Sequence, residues 1–420
     1  MIRTKHVERM KKYVIMNPLL AGMGGGQMYT RNKVLYMESQ GWKVDVIYAT
    51  CGNIIIKELQ KYRNVFPELI FPTCYFSKKK CNSIIKEIAA LICDVKYDEI
   101  VIESTYFATS LWAEAVSSLV GAKHLIYLIQ EDNPVNNSGM QQFFIFKHKR
   151  KELVSITDTS LQQMFRSFYP IPKEKSYWLP AYCNNVEADI DSPWIETIDK
   201  SRYDYVVGNL GRLEKPYLRY AITDFCNYAK SYRDKKFLLL VIGGTPNFNS
   251  VIIDYRRFIS ENTDNVEVVF TGYLYPIPIR LMDKCDVFFS SAGSSWVCAR
   301  SGIPTITYDG NDYRPIGVLG RTTYHGLYRD ENEPVLDCEQ LMNQILIEKK
   351  YPKVAASYQD NNPDFSSHVE YLLGLGKEKQ YFDVSLIKAE SSIEKRIRMG
   401  LFMMGASFYY QLYLKKKGGK

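Results

Sequence analysis

A chain of 420 residues exceeds what one hydrophobic core usually organises, so two domains are expected, and 46% hydrophobic with 24% charged residues excludes collagenous, low-complexity and disordered classes. Nine scattered cysteines without a Cys-x-x-Cys pair, and first residues without a signal-peptide pattern, predict free thiols in a reducing cytosol. The net charge of +8 fits an anionic surface or phosphorylated substrates; nucleic acid is disfavoured, because the aromatic residues are not interleaved with basic ones in any recognisable module.

In chain order, Tyr13 to Met16 reads as a strand, Gly22-Met23-Gly24-Gly25-Gly26 as a glycine-rich loop, and Met28 to Gln40 as a helix. Strands follow at Lys43–Tyr48, Glu99–Glu103 and His124–Ile129, with a helix from Ala108 to Leu119 between the last two. Asn, Asp, Ser and Pro between Tyr182 and Arg202 interrupt both periods and mark a domain join. The rhythm then resumes with strands at Tyr205–Gly208, Phe237–Ile242, Val266–Thr271, Val287–Phe289 and Thr305–Thr307, and helices at Tyr217–Tyr232, Val251–Ser260, Ile277–Lys284 and Ser295–Arg300. Strands alternating with helices predict parallel sheets wound on both faces, with ligands beyond the carboxyl ends of the strands.

Two kinds of chemistry are readable at those ends. Arg212 and Lys215 follow a strand and precede a helix, and Gly243-Gly244-Thr245 and Gly293-Ser294-Ser295 offer backbone donors where a phosphate could meet a helix start. The competing reading of Arg212 is a surface ion pair with Glu214, and that of the glycine turns is ordinary turn geometry. Glu103, Glu131 and Asp132 stand at predicted strand ends, where one of them could take a proton, although Asp132 before Asn133-Pro134 also fits a turn cap. Trp296 reads as a stacking platform or as core. The five histidines form no metal spacing and no Asp-x-Asp occurs, so no metal or other cofactor is expected.

The order of these pieces, from about Val14 to Leu372, resembles the GT-B glycosyltransferases, and most closely family four, which includes bacterial polysaccharide-assembly enzymes. The resemblance rests on Gly24-Gly25-Gly26 before a helix, Gly208-Asn209-Leu210-Gly211-Arg212-Leu213-Glu214-Lys215, Val268 to Gly272, Cys285 to Ser291, and Ser301-Gly302-Ile303-Pro304. It implies an α/β fold of two doubly wound Rossmann-like domains facing across a cleft. An acceptor domain would span 1–185, joined by a C-terminal helix in 380–420, and a donor domain 186–379. It implies a nucleotide-sugar donor held by Gly208, Gly211, Arg212, Lys215, Gly243, Gly244, Thr245, Gly272, Gly293, Ser294 and Ser295, and a glycan or lipid-linked acceptor near Gly24, Gly25, Gly26 and Gln130. Where the family carries a ribose-binding glutamate this chain has Val297, and where it carries a first-domain histidine this chain has Gln130.

The expected activity is sugar transfer in cell-surface polysaccharide synthesis, by a cytoplasmic protein resting on the inner face of the membrane through its basic ends. Two rivals stay open: a non-catalytic binding protein of the same fold, and a nucleotide-sugar epimerase. The segment Met399 to Leu414 is shorter than the roughly 20 residues that span a bilayer, so it reads as a helix packed on the first domain or lying at the membrane surface.

Overall fold

The computed structural model of the protein describes residues 10–49, 54–129, 135–181, 185–188, 190–245, 248–330, 332–355, 364–376, 379–389 and 400. Its described residues form two compact units: one gathers residues 10–21, 29–181 and 364–389, the other residues 22–28 and 185–355. Of the C-terminal helix expected in 399–414, all but Gly400 lies outside the described residues.

In the first unit, β1 (Lys11–Asn17), β2 (Lys43–Tyr48), β3 (Asn64–Val65), β4 (Glu99–Ser104), β5 (Lys123–Leu128) and β6 (Leu153–Ser155) form one sheet in the order β3-β2-β1-β4-β5-β6. Every pairing is parallel. The helices between the strands are α1 (Gly25–Ser39), α2 (Lys78–Ile92), α3 (Phe107–Val120), α4 (Ser138–Lys149) and α5 (Asp158–Phe165). Helix α2 escaped the sequence reading although its signal is present: Ser77 caps the amide of Lys80, and Ile84, Ile88 and Ile92 repeat every four residues to form the buried face.

After the short β7 (Val186–Glu187) and α6 (Pro193–Thr197), the second unit repeats the plan. Strands β8 (Tyr205–Leu210), β9 (Phe237–Ile242), β10 (Val266–Phe270), β12 (Val287–Ser290), β13 (Thr305–Tyr308) and β14 (Pro315–Val318) form a sheet in the order β10-β9-β8-β12-β13-β14, while β11 (Ile277–Pro278) pairs with β7. Only β14 runs antiparallel in the large sheet. The helices are α7 (Tyr217–Ser231), α8 (Phe248–Asn262), α9 (Ile279–Met282), α10 (Gly293–Arg300) and α11 (Cys338–Leu346), and α12 (Ser366–Gly374) belongs again to the first unit.

The unbroken apolar run of β9 has a direct cause in this layering. Side chains alternate across a strand, and both faces here are covered: Leu238, Leu240 and Ile242 pack with Val206 and Phe288 on one side, while Leu239 and Val241 pack with Val207 and Phe289 on the other. Both sheets have the 3-2-1-4-5-6 order of the Rossmann fold, and each reverses its winding between its first and fourth strands. The fold class expected from the sequence, two Rossmann-like α/β domains, is the one observed. The helix expected over Ile277–Lys284 is shorter, because Ile277-Pro278 is spent on β-pairing with Val186-Glu187 and only Ile279–Met282 remains helical.

The first unit encloses two polar networks. Glu103 on β4 accepts hydrogen bonds from Tyr13 (2.5 Å) and Tyr29 (2.8 Å), with Lys33 Nζ at 3.6 Å, and Lys33 donates to His368 Nδ1 at 2.9 Å. His368 in turn donates from Nε2 to the Pro180 carbonyl, so its tautomer is fixed by a partner that can only donate and one that can only accept. In the second network Glu114 joins His124 (2.5 Å), Lys147 (3.0 Å) and the Phe382 amide (2.7 Å), and His124 Nε2 meets Ser104 at 2.9 Å. Two return segments of the chain, α12 and residues 379–389, are thereby keyed into the first unit.

These networks predict the pH dependence of stability. Burial, with Lys33 close by, holds His368 down at about 2, and burial also lowers His124 and His148 from 6.5. Below pH 6.5 the unfolded chain therefore binds protons that the folded chain refuses, so stability is complete above that pH and falls as pH drops through it, by up to about 1.4 kcal/mol per pH unit for each histidine. Urea unfolding at pH 7.5, 6.0 and 5.0 should show a falling midpoint. A flat midpoint over that range would mean that these rings are not held neutral.

Candidate functional site

The carboxyl edge of the second sheet carries most of the residues singled out in the sequence. After β8 the chain turns through Gly211 and Arg212; the Gly211 amide donates to the Ile242 carbonyl at 3.1 Å and the Leu213 amide to that of Gly244 at 3.3 Å, locking this turn to the Gly243-Gly244-Thr245 turn after β9. A bridge between Gly243 and Gly272 adds the turn after β10. Glycine is required at 243: φ is +156°, and a Cβ there would overlap the Gly211 carbonyl, well inside the 3.0 Å that real Cβ atoms respect. Across the winding reversal, Asn209 donates to the Phe289 carbonyl (2.9 Å) and Ser290 to that of Leu210 (2.8 Å), holding β8 and β12 in register beneath the site.

Arg212 is the cation of this edge, with its side chain 44% exposed and NH1 3.2 Å from Glu214 Oε1. Both readings of the sequence therefore meet in one residue. An exposed pair of this kind contributes about 0–1 kcal/mol, so the contact with Glu214 ties Arg212 down only weakly. Lys215 closes the turn through its amide, which donates to the Arg212 carbonyl at 3.2 Å.

The turn from β12 into α10 is strained. Ala292 sits at φ 59° and ψ −141°, a conformation that costs a non-glycine residue about 1–3 kcal/mol. It is held there because its amide donates to the Gly326 carbonyl at 2.6 Å and its own carbonyl accepts the Ser295 hydroxyl at 2.6 Å. The first turn of the eight-residue α10 then begins at exposed Gly293 and half-buried Ser294. The segment 323–330 crosses the ends of β12 and β13: Thr307 also donates to the Gly326 carbonyl (2.7 Å), and the Gly310 amide to that of Leu327 (2.7 Å). On this strap, His325 Nδ1 lies 2.7 Å from Glu333, which also accepts from Thr323 (2.8 Å) and the Asp330 amide (2.9 Å). Partial burial pushes the Glu333 carboxyl up, but these three donors prevail and hold it below its ordinary range.

Some sequence candidates take other places. Ser295 is fully buried with its hydroxyl spent on Ala292, so it has nothing to give a ligand. Gly208 lies inside β8 under the Phe288 ring, which a Cβ would strike, so it serves packing. Thr245 is buried, Gly272 turns the chain at φ +72°, and Val297 packs in the apolar cluster with Phe288 and Ile303. Glu103, expected at an exposed strand end, is fully buried with both oxygens occupied by tyrosines and cannot reach an acceptor. Gln130, Glu131 and Asp132 lie outside the described residues. Gly24, Gly25 and Gly26 open α1; residues 22–28 group with the second unit, and a Cβ at Gly24 would lie 3.8 Å from Arg212 Cδ and Nε. The sequence reading passed over His325, whose signal would have been the acids five and eight residues after it.

No family model and no curated protein matches the chain. Solved structures do. The chain is similar to Anabaena Alr3699/HepE in complex with UDP and glucose, at 13% identity over 93% of this chain and 99% of that one, with a TM-score of 0.56. The same protein in complex with UDP-glucose gives 14% identity over the same shares and a TM-score of 0.55. A glycosyltransferase from Rickettsia africae ESF-5 gives 15% identity over 71% of this chain and 79% of that one, with a TM-score of 0.52. The fold is of the GT-B type. In a GT-B chain, the edge that carries Arg212 and the α10 N-terminus lies at the winding reversal of the second Rossmann-like unit. Among the described residues, no group of three His, Cys, Asp or Glu could hold a metal ion, and no helix is long and apolar enough to cross a membrane.

Proposed function

We propose that this protein is a glycosyltransferase that moves a sugar from a nucleotide-sugar donor to a glycan or lipid-linked acceptor. The observation that carries the reading is the convergence of an exposed arginine, interlocked glycine turns and an open helix N-terminus on one carboxyl edge of a GT-B fold. Such an edge stabilises the negative charge that develops on a diphosphate leaving group: Arg212 supplies a mobile cation, and the first amides of α10 supply fixed dipoles. With Val297 buried and Ser295 committed internally, Ser294 and backbone groups are left to read the ribose hydroxyls. Participation in cell-surface polysaccharide synthesis, and peripheral contact with the inner membrane face through the basic ends, extend the same proposal from the residue pattern.

One observation favours a second reading, a binding protein of the same fold without catalysis. Of the three carboxylates that the sequence singled out as proton acceptors, the one within the described residues, Glu103, is sealed in the core. Calorimetry with a panel of sugar nucleotides, followed by assay for transfer or hydrolysis, separates the two. Arg212→Ala is expected to weaken donor binding by about 1.5–3 kcal/mol, roughly 10- to 150-fold in Kd. Equal affinity of wild type and variant would remove Arg212 from the donor site.

A further inference from the structure

We propose that the first unit carries a face for an anionic lipid bilayer, built from Lys78, Lys79 and Lys388 around the exposed side chain of Leu386. This rests on the reading of peripheral membrane contact and places that contact on a folded surface rather than on the basic ends alone.

The apolar element comes from residues 379–389, which return to the first unit and are pinned there. Phe382 and Val384 pack against the cluster of Phe143, Phe144 and Phe165, Ile387 is buried in it, and Asn137 Nδ2 donates to the Lys388 carbonyl at 2.9 Å. Within the single helical turn Val384–Leu386, Leu386 is left 69% exposed. One exposed leucine is ordinary on a protein surface; its setting here is what carries the inference.

That setting is cationic. The turn Val384–Leu386 touches the turn Thr73–Tyr75, which leads into α2, and α2 opens with Lys78-Lys79-Lys80, all exposed. The Asp383 carboxyl, held below its ordinary range chiefly by the Ser385 hydroxyl (2.6 Å) and amide (3.0 Å), also feels Lys78. Along its length α2 carries four lysines against one acid, Glu87. Cations in a first turn oppose the positive end of the helix dipole, so these lysines weaken the helix that they begin. Lys80 is compensated by Glu68 at 2.9 Å, whereas Lys78 and Lys79 make no ion pair among the described residues.

Uncompensated ammonium groups around an exposed aliphatic side chain fit a partner that is anionic at its surface and apolar beneath, with headgroups for the lysines and the acyl boundary for the leucine. The sequence that continues beyond residue 389 has the same character: Lys395, Arg396 and Arg398, then the Leu-, Phe-, Met- and Tyr-rich stretch 399–414, then Lys415, Lys416 and Lys417. The position is also apt. Helix α4 leads from the carboxyl end of β5 back to β6, and its capping residue Asn137 is the one that holds Lys388, so a membrane here brings a lipid-linked acceptor to the carboxyl edge of the first sheet.

The test is flotation of the full-length protein with phosphatidylcholine vesicles, with and without phosphatidylglycerol, at low and high salt. Wild type should bind the anionic vesicles at low salt and be released by high salt. Lys78→Gln combined with Lys79→Gln should weaken partitioning about 25-fold, roughly fivefold per lysine, and Leu386→Ser about 10-fold, with melting temperatures unchanged because all three side chains are exposed. Unchanged vesicle affinity in both variants overturns this face, and a loss on replacing Lys415, Lys416 and Lys417 by Gln then returns the contact to the ends. A Leu386→Ser protein that melts lower yet binds vesicles as wild type does means that another part of the chain covers the leucine, which overturns it as well. Absence of salt-sensitive binding by the wild type overturns the membrane reading and this inference together, while calorimetry with sugar nucleotides still judges the donor site on its own.

Discussion

Gly243→Ala is expected to destabilise the second unit by about 4 kcal/mol, combining roughly 1–3 kcal/mol of backbone strain with a similar cost of overpacking. The clash is with backbone, the carbonyl oxygen of Gly211, so no flexible side chain can move aside. Relief would have to separate the turns after β8 and β9, breaking the Gly211 to Ile242 and Leu213 to Gly244 hydrogen bonds together. For a unit of this size the melting temperature should fall by about 8–16 °C. Gly26→Ala is the matched control: it lies in the first turn of α1 with nothing within 4 Å of the added Cβ, and alanine there should be neutral or slightly stabilising. Thermal unfolding of both variants checks the pair, and a Gly243→Ala protein within 1 kcal/mol of wild type would mean that the turns are not interlocked as described.

Removal of the Glu103 carboxylate should be comparably damaging in the first unit. Glu103→Ala leaves two buried tyrosine hydroxyls without an acceptor and the fully buried Lys33 without its counter-charge, at an expected cost of about 3–5 kcal/mol. Burial already draws Lys33 down to about 8 against the opposing pull of Glu103, and without that carboxylate the ammonium keeps only neutral partners, the His368 ring and the faces of Tyr13 and Phe365. Because the loss is chiefly that of a stranded charge, Lys33→Met in the same chain should recover part of it. A double-mutant cycle by urea unfolding measures the coupling; strictly additive losses would show that the two groups do not depend on one another.

How far the sequence disclosed this arrangement depends on whether a feature is local. Strands β8, β9 and β12 were readable because burial on both faces demands continuous apolar runs, and the glycine turns because close backbone approach admits no other residue. Glu103 was misplaced for the opposite reason. Its partners stand 90, 74 and 70 positions away in the chain, and an acid at the end of an apolar run looks the same whether it faces water or two tyrosines. Ser295 reads like a helix-start serine free to meet a ligand, and only the strained Ala292 conformation shows that its hydroxyl is needed at home. The strap over α10 was illegible because its anchors are backbone carbonyls, which leave no trace in residue identity.

The interrupted path of the chain through its two units sets an order for assembly during synthesis. The second unit's last described residue is 355, whereas the first still lacks His368, whose ring satisfies Lys33, and Phe382, whose amide satisfies Glu114. A nascent chain that has released residues up to 355 therefore holds every described residue of the second unit, while each buried network of the first still lacks one hydrogen-bond partner. Although the N-terminal unit leaves the ribosome first, it is the later of the two to close, and until then it is the part of the molecule most in need of protection from aggregation.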